Sequence, residues 1–344
     1  MSGITERRRA VLNNIKPYYN PENLCIENVF TSLCNAIDKP IVNLYGFSWN
    51  FGYIPYAITN GTLPFGKSIV PSRDKQGMNS EQINAVEMFC GIYPMLHMNY
   101  GTDNFVEIVK AELAEDRPII VGCDIFYCNW HKSYQKYHSL HYCLIKGINE
   151  EGFVCVDDTL ASEDGNLILP ERPESIMLPF DVLKNFNFGY FTFKFKKNEC
   201  EYSADDMIYI SALKTIAGYN GTSDYNVMRL MAQEMEAHMD IDKEIQGFED
   251  AWAVDLVRAS NYIIWNRKNY SLFVEDKKMY KNKDVRFILE QMKQSISIWT
   301  GIKNYIFKYA MFPDMKFQVS KVKDEIMKVS QVEESLAYQI VSMR

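Results

Sequence analysis

The chain contains 344 residues, 47% of them hydrophobic, so it can form one large domain or two modest domains with ample cores. Its formal net charge of −7 argues against a general nucleic-acid-binding protein, because such proteins need positive charge to neutralise phosphates. No apolar run of about 18 residues is present, so the sequence predicts no transmembrane helix.

The first predicted helix begins at Cys25, after a segment (residues 20–24) that contains proline and asparagine. Glu27 in the first turn and Asn23 as N-cap are typical of a helix start. Cys25 lies at the N-terminal edge of the apolar face, where unpaired N–H groups and partial positive charge favour a thiolate. Apolar side chains at helical spacing predict one buried face: Ile26, Val29, Phe30, Leu33, Cys34 and Ile37.

Residues 61–68 match the spacing G-x4-G-K-S of a phosphate-binding loop. Such a loop should follow a buried strand and open a helix. Pro55 makes the preceding segment a poor central strand, and Pro71 interrupts the segment that follows. We therefore interpret the match as accidental.

A strand followed by a hairpin is predicted in the middle of the chain. Residues 118–123 form an apolar run typical of a buried strand. Residues 139–148 alternate between polar and apolar, residues 149–152 indicate a turn, and residues 153–157 form the return strand.

This hairpin is predicted to bring a histidine close to a carboxylate. Asp157 ends the return strand, where an antiparallel register places it near His141. We expect Asp157 to accept Nδ1–H of His141, which leaves Nε2 for the thiol of Cys25. Asp158, whose side chain should point to the opposite face, is the second candidate. The sequence thus predicts a nucleophilic site formed by Cys25, His141 and Asp157.

The amino-acid composition and the hydrophobic periodicity of the chain change near residue 200. Residues 1–200 are rich in glycine, proline and aromatic residues and end in an alternating strand at 190–196. We predict an α+β fold with a catalytic domain over 1–200, in which the helix carrying Cys25 packs on an antiparallel sheet, and a helical domain over 201–344. The predicted helices of the second domain are 205–217, 223–239, 243–268, 284–311 and 315–341.

The order of these features resembles the papain-like cysteine-protease fold, in the branch shared with bacteriocin-processing peptidases. A closer resemblance is to the butirosin-biosynthesis acyltransferase family, and it covers most of the chain. The individual motifs are short, and only their order and spacing are specific. They are Cys25 opening the first helix, the segments 44–47 (LYGF) and 51–53 (FGY), residues 118–127 (PIIVGCDIFY), His141 in HYCLIKGIN, Asp157 in VCVDD, and the helical C-terminal half.

The resemblance implies acyl transfer without a cofactor. An acyl group would pass from the phosphopantetheine thioester of an acyl or peptidyl carrier protein to Cys25, and then to an amine acceptor. Stand-alone enzymes of this type, such as closthioamide-type amide synthases, form amide bonds in nonribosomal natural-product pathways. The helical domain is then expected to cover the active site and exclude water.

One expected feature of papain-like peptidases is missing. The glutamine that usually precedes the cysteine and donates to the oxyanion is absent. We predict that the backbone N–H of Cys25 and the side chain of Asn20 or Asn23 fill this role. Asp124 and Tyr127 are candidates for substrate binding, although a structural hydrogen-bonding role suits Asp124 better.

Two other functions use the same residues. A cysteine peptidase or thioesterase would share the Cys-His-Asp site but release a free acid. A non-catalytic module that binds a carrier protein or a peptide would have an unreactive Cys25.

A zinc site is the remaining alternative. The sequence contains a C-x4-C-x2-H-x6-H-x2-H pattern, but Cys123 belongs to a buried strand and no paired C-x2-C knuckle is present, so we predict no metal. The five residues of the pattern are Cys123, Cys128, His131, His138 and His141.

The cysteine usage and the N-terminal sequence predict a cytoplasmic protein. The eight cysteines lack the regular spacing of a disulfide framework, which favours reduced thiols. The arginines at positions 7–9 are not followed by an apolar region, so they are interpreted as a solvated face and not as part of a signal peptide. We predict neither nucleic-acid nor membrane partners.

Overall fold

The computed structural model describes residues 12–38, 45–70, 86–98, 102–162, 173–185, 188–196, 203–218, 221–248, 250–276 and 285–344. Leu44 and the arginines at 7–9 lie outside the described residues.

The chain divides into two compact units, each built from two stretches. The first unit comprises Met1–Ile41 and Val86–Cys200, and the second unit comprises Val42–Ala85 and Glu201–Arg344. The last change of unit falls at residue 200, where the sequence analysis placed its boundary. Residues 42–85, however, group with the helical unit and not with the sheet.

The helices and strands of the described residues are numbered in chain order. The helices are α1 (Cys25–Ala36), α2 (Tyr56–Thr59), α3 (Phe65–Ser68), α4 (Thr102–Ala114), α5 (Ala204–Ala217), α6 (Asp224–His238), α7 (Ile241–Ile245), α8 (Asp255–Asp276), α9 (Val285–Met311) and α10 (Val319–Ser342). The strands are β1 (Ile92–His97), β2 (Ile119–Asp124), β3 (Leu140–Ile148), β4 (Gly152–Val156), β5 (Ile176–Pro179) and β6 (Tyr190–Phe195). Among these helices, none is both long enough and apolar enough to cross a membrane.

The described part of the first unit contains a six-stranded sheet in the order β1-β6-β2-β3-β4-β5. Every neighbouring pair of strands is antiparallel. The strand predicted at 118–123 corresponds to β2, the predicted hairpin to β3 and β4, and the alternating segment at 190–196 to β6, so these predictions are confirmed. The protein is therefore α+β, with an antiparallel sheet and a helical C-terminal region.

Helix α1 forms because its apolar side chains recur on one face, as the sequence predicted. Phe30 packs edge-on against Phe191 and Phe193 of β6, with ring centroids 6.0 and 5.7 Å apart. The helix also packs on β3. This burial anchors the helix whose first residue is Cys25. The buried apolar residues of the helix are Ile26, Val29, Phe30, Leu33 and Cys34.

Helix α4 covers the opposite face of the sheet. Phe105 contacts Phe153 of β4 and Tyr190 of β6, with ring centroids 5.7 and 5.0 Å apart. Because Tyr190 and Phe191 are consecutive in β6, their side chains point to opposite faces. The sheet is thus packed on both faces, which fixes β3 and β4 in place.

In the second unit, carboxylates on α6 hold the backbone of the segment that leads into α2 and of the first residue of that helix. An oxygen of Asp224 accepts a hydrogen bond from the backbone N–H of Phe51 at 2.9 Å. Glu234 accepts from the backbone N–H of Tyr56 at 2.8 Å and from the hydroxyl of Tyr53 at 2.7 Å. These bonds explain why the segment packs with the helices.

The segment with phosphate-loop spacing contains the short helix α3. The backbone N–H groups of Phe65 and Gly66 donate to the carboxylate oxygens of Glu244 at 2.6 and 3.1 Å. The element before this segment is α2 and not a strand. The amides that a phosphate would need are therefore occupied by a carboxylate of the chain itself.

The helix predicted over 243–268 is wrong. Helix α7 ends at Ile245, Gly247 adopts a φ of 84°, and α8 begins only at Asp255. A positive φ suits glycine and is incompatible with a continued right-handed helix. The other four predicted helices correspond to α5, α6, α9 and α10.

A buried ion pair links α8 to α10. Nη2 of Arg267 lies 2.9 Å from Oε2 of Glu333, and both side chains are fully buried. Glu333 also accepts hydrogen bonds from Ser295 of α9 at 2.5 Å and from the indole of Trp49 at 2.9 Å. Every partner needed to compensate the buried charges is thus supplied by the second unit.

Candidate active site

Cys25 is the first residue of α1. The N-cap is Leu24, whose backbone N–H donates to Oε2 of Glu27 at 2.7 Å. The prediction of Asn23 as N-cap is therefore wrong, because Glu27 reaches back over the helix start and the side chain of Asn23 is used elsewhere. Seven cysteines lie in the described residues, and six of them are buried. Cys25 is the exception, since its side chain is partly exposed.

His141 and Asp157 are brought together by the hairpin, as predicted. Nε2 of His141 lies 2.7 Å from Oδ2 of Asp157. Leu144 pairs with Val156, so Asp157 follows at the position opposite Cys143. The thiol of Cys143 accordingly lies 3.3 Å from the same carboxylate oxygen. The carboxylate is thus two residues further along β3 than His141.

The predicted use of the ring nitrogens of His141 is wrong. We expected Nδ1 to bind Asp157 and Nε2 to serve the thiol, but Nε2 binds Asp157. The diagonal offset between the two residues explains the difference, because Nε2 is the ring nitrogen further from the backbone and has the longer reach. Nδ1 is therefore the nitrogen left for Cys25.

Asp157 is held as an ionised acceptor. Besides His141, the indole of Trp130 donates to Oδ2 at 2.9 Å, and the backbone N–H and hydroxyl of Thr159 donate to Oδ1 at 2.9 and 2.7 Å. Burial alone would raise the pKa of Asp157, but the charge and hydrogen bond of His141, together with these donors, lower it well below its ordinary range. Sequence reasoning missed Trp130 and Thr159.

His141 is held in a site that favours its charged form. Burial disfavours the imidazolium, but the charge of Asp157 and then that of Cys25 outweigh this effect, and each of the two groups accepts a hydrogen bond from the ring. The pKa of His141 is therefore raised well above its ordinary value. The thiol of Cys25 and the carboxylate of Asp157 thus both interact with the imidazole of His141.

Asp158 also lies beside His141, with Oδ1 3.8 Å from Nε2. Its Oδ2 accepts a hydrogen bond from Nδ2 of Asn28 at 3.0 Å. The prediction that Asp158 points to the opposite face is wrong, because the chain leaves β4 at Val156 and turns into the 3-10 helix Asp158–Leu160. Alternation of side chains along a strand does not apply there.

Asn28 links the carboxylate of Asp158 to the segment before Cys25. Its Oδ1 accepts from the backbone N–H of Asn20 at 3.0 Å and from Nδ2 of Asn23 at 3.1 Å. The side chain of Asn20 in turn donates to Oδ1 of Asn23 at 3.4 Å. Both predicted oxyanion donors therefore belong to one hydrogen-bonded chain, centred on a residue that sequence reasoning missed.

The contacts of Asp124 within the described residues are structural, because its carboxylate binds neighbouring backbone and side-chain groups of the protein. Its Oδ1 accepts from the backbone N–H groups of Phe126 and Ser139 at 3.0 and 3.2 Å. Its Oδ2 lies 2.7 Å from Nδ1 of His138. Tyr127 follows in the same turn and packs its ring against Phe126. These bonds tie the end of β2 to the start of β3, next to His141.

A second imidazole lies close to the first. The ring centroids of His131 and His141 are 5.4 Å apart. Nδ1 of His131 accepts from the backbone N–H of Ser133 at 3.1 Å, so a neutral ring carries its proton on Nε2. Burial, and next the positive charge of His141, lower the pKa of His131 to about 4.

The residues of the zinc pattern are not brought together. The sulfur atoms of Cys123 and Cys128 are 3.8 Å apart in the core, whereas His138 is bonded to Asp124. Among the described residues, one cluster places three candidate ligand atoms within 4.8 Å of one another: His141, Cys143 and Asp157. That cluster shares its histidine and its carboxylate with the triad.

No protein-family model matches the chain, and no curated protein matches it at a significant level of similarity.

Proposed function

We propose that the protein is a papain-like cysteine acyltransferase, which moves an acyl group from a carrier-protein thioester to an amine in natural-product biosynthesis. One observation carries the proposal: a partly exposed thiol at a helix N-terminus acts on a buried imidazole whose other nitrogen is bound to a carboxylate. A nucleophile, a base and an orienting acid in this order are the elements of covalent acyl transfer.

The fold supports the papain-like part of the proposal. The nucleophile opens a helix that packs on an antiparallel sheet, while the histidine lies at the start of one strand and the acid directly after the next. The resemblance in the order of the sequence motifs points the same way.

In the first half-reaction the Cys25 thiolate attacks the carbonyl carbon of the thioester. A new carbon–sulfur bond forms to the enzyme, and the bond to the carrier breaks with its electron pair on the carrier sulfur. The imidazolium of His141 gives that sulfur its proton, so the carrier leaves as a free thiol.

In the second half-reaction an amine attacks the acyl-enzyme. Nδ1 of His141 takes a proton from the amine while the carbon–nitrogen bond forms. The bond between the acyl carbon and Cys25 breaks with its electron pair on sulfur, which restores the thiolate–imidazolium pair. Asp157 remains ionised throughout and keeps the ring in place.

The developing oxyanion needs hydrogen-bond donors near Cys25. We assign this role to the backbone N–H of Cys25 at the start of α1, with Asn20 or Asn23 as the side-chain donor. The hydrogen-bonded chain through Asn28 supports this assignment, because it holds both amides next to the helix start.

The donor partner we propose is an acyl or peptidyl carrier protein that bears a phosphopantetheine thioester, in the cytoplasm. The free thiols of the described cysteines are compatible with a reducing compartment.

The test is incubation with an acyl thioester of N-acetylcysteamine, a short analogue of the phosphopantetheine arm, followed by intact mass measurement. We expect an acyl adduct on the wild-type protein and on Cys34→Ala, which alters a buried thiol of the same helix. The Cys25→Ala variant should carry none.

The fate of the adduct then separates the alternatives. Adding a primary amine should release an amide and regenerate the free enzyme. Release of free acid at a rate that does not depend on the amine would identify a thioesterase or peptidase instead. Full amide formation by Cys25→Ala would disprove the proposal.

A further inference from the structure

We propose that Asp158 is a second carboxylate partner of His141, positioned by Asn28, and that its ionisation controls the reactivity of the Cys25 thiol. The inference rests on the proposed function only in taking Cys25 as the nucleophile. It concerns a positioning residue, since Asp158 acts through the imidazole and not on the substrate.

The geometry of Asp158 is unusual for a buried carboxylate. Its side chain is 10% exposed, and Oδ1 lies 3.8 Å from Nε2 of His141. That oxygen has no hydrogen-bond partner, although it is buried. A buried carboxylate oxygen without a hydrogen-bond donor costs free energy, and the charged imidazole 3.8 Å away offsets part of that cost.

Asn28 fixes which oxygen faces the ring. Its Nδ2 donates to Oδ2 of Asp158, while its Oδ1 accepts from Asn20 and Asn23. This pattern of donors and acceptors defines the orientation of the Asn28 amide. Oδ2 of Asp158 is thereby occupied, and Oδ1 is the atom directed at His141.

The charge of this carboxylate depends on its surroundings. Burial and then the negative charge of Asp157 raise the pKa of Asp158 to about 6, against the opposing effects of His141 and Asn28. The titratable groups around the pair are Asp157 and His141 beside Asp158, and Cys25, Cys143 and His131 around the ring of His141. The neighbouring carboxylate of Asp157 behaves in the opposite way, since its pKa is lowered.

The consequence is a switch near neutral pH. When Asp158 is ionised, a second negative charge lies next to the imidazolium and stabilises the thiolate–imidazolium pair. When Asp158 is protonated, that stabilisation is lost and the proton returns more readily to sulfur. The reactivity of Cys25 should therefore rise as Asp158 ionises, in addition to the change that comes from the cysteine and histidine themselves.

The test is the rate of Cys25 alkylation by iodoacetamide from pH 4.5 to 8.5, with Cys25→Ala as background. The wild-type profile should show an inflection near pH 6. Asp158→Asn keeps an acceptor for Asn28 but cannot ionise, so the inflection should disappear. The alkylation rate of Asp158→Asn at pH 7.5 should fall about tenfold, because the second negative charge beside the imidazolium is gone. Glu107→Gln, an exposed carboxylate on α4, should leave the profile unchanged.

The variant Asn28→Ala is an independent test of the role of Asp158. It also decides whether the inflection belongs to Asp158 if Asp158→Asn does not fold. Loss of the Asn28 donor removes an interaction that favours the ionised carboxylate, so the inflection should move to higher pH. The inference is overturned if the profile of Asp158→Asn coincides with that of the wild type, or if Asn28→Ala leaves the inflection in place. Because the assay contains no acyl donor, its outcome is distinct from failure of the acyl-transfer proposal.

Discussion

Nε2 of His141 and Oδ2 of Asp157 lie 2.7 Å apart, and their side chains are 7% and 0% exposed. In serine proteases of the chymotrypsin type the acid binds Nδ1 and the nucleophile faces Nε2. The two nitrogens have exchanged roles here, so the base that faces Cys25 is Nδ1, the nitrogen closer to the backbone. The position of the ring then depends on how Asp157 is held.

Replacing Asp157 by asparagine should therefore abolish most activity. An amide at this position cannot accept from His141, Trp130 and Thr159 at once, so the ring loses its fixed tautomer. We expect kcat/KM for acyl transfer to fall by about 10³- to 10⁴-fold, as for the equivalent change in a serine protease. Trp130→Phe, which removes one donor and keeps the carboxylate, should cost far less. Retention of a tenth of the activity by Asp157→Asn would contradict this role.

His131 should remain neutral throughout the physiological range. Its pKa of about 4 lies below the ordinary value of 6.5, because burial and the charge of His141 oppose protonation. NMR of the imidazole protons should show no titration of His131 between pH 5.5 and 8. A midpoint near 6.5 would mean that the two rings are not adjacent in solution.

The imidazole of His131 should also make the stability of the fold depend on pH. The unfolded chain takes up a proton on His131 as the pH falls through about 6.5, whereas the folded protein resists until about pH 4. The contribution of His131 to stability is therefore lost over that window as the pH falls. Urea unfolding should show that the change in stability from pH 5 to pH 7 is less favourable for His131→Gln than for the wild type.

Asp158 should have the opposite effect on stability. Its folded pKa of about 6 lies above the ordinary value, so the folded state binds the proton more tightly than the unfolded state. The contribution of Asp158 to stability should fall as the pH rises from about 4 to 6, by roughly 2–3 kcal/mol for a shift of this size, which opposes the contribution of His131. Asp158→Asn should flatten this dependence and be more stable than the wild type at pH 8, although its Cys25 reacts more slowly. Parallel pH profiles of stability would contradict the raised pKa.

The sequence predicted the parts of the site that depend on local periodicity. Alternation defined β3 and β4, and the spacing of apolar residues defined the helix that begins at Cys25. The nitrogen that binds Asp157 could not be predicted in this way, because it depends on whether the carboxylate lies opposite His141 or two residues further along the strand. Periodicity fixes the face of a side chain but not the register of its partner.

Asn28 and the segment before α2 show a second limit. The amide of Asn28 is used by a carboxylate 130 residues away in the chain, and the backbone of Phe51 is bound by Asp224, 173 residues away. Nothing in the neighbouring sequence indicates such partners. Residues 42–85 were placed with the sheet because their glycine and aromatic content resembles that of the rest of the N-terminal part. Their composition does not indicate that they pack with helices more than 100 residues away.

The buried pair of Arg267 and Glu333 gives the sharpest test of the second unit. Glu333→Gln keeps the shape of the side chain but leaves the guanidinium of Arg267 without a counter-charge in a fully buried site. Loss of one partner of such a pair costs about 3–5 kcal/mol. Urea unfolding should show this loss, whereas Glu325→Gln, an exposed carboxylate on the same helix, should change stability by less than about 0.5 kcal/mol.

The double variant Arg267→Met with Glu333→Leu distinguishes charge from packing. Removing both charges eliminates the uncompensated guanidinium, so the double variant should be more stable than Glu333→Gln alone. It still leaves the indole of Trp49 and the hydroxyl of Ser295 without their acceptor, which retains part of the cost. If the double variant were as unstable as the sum of its single changes, the loss would come from packing, and the ion pair would not be the element that links α8 to α10.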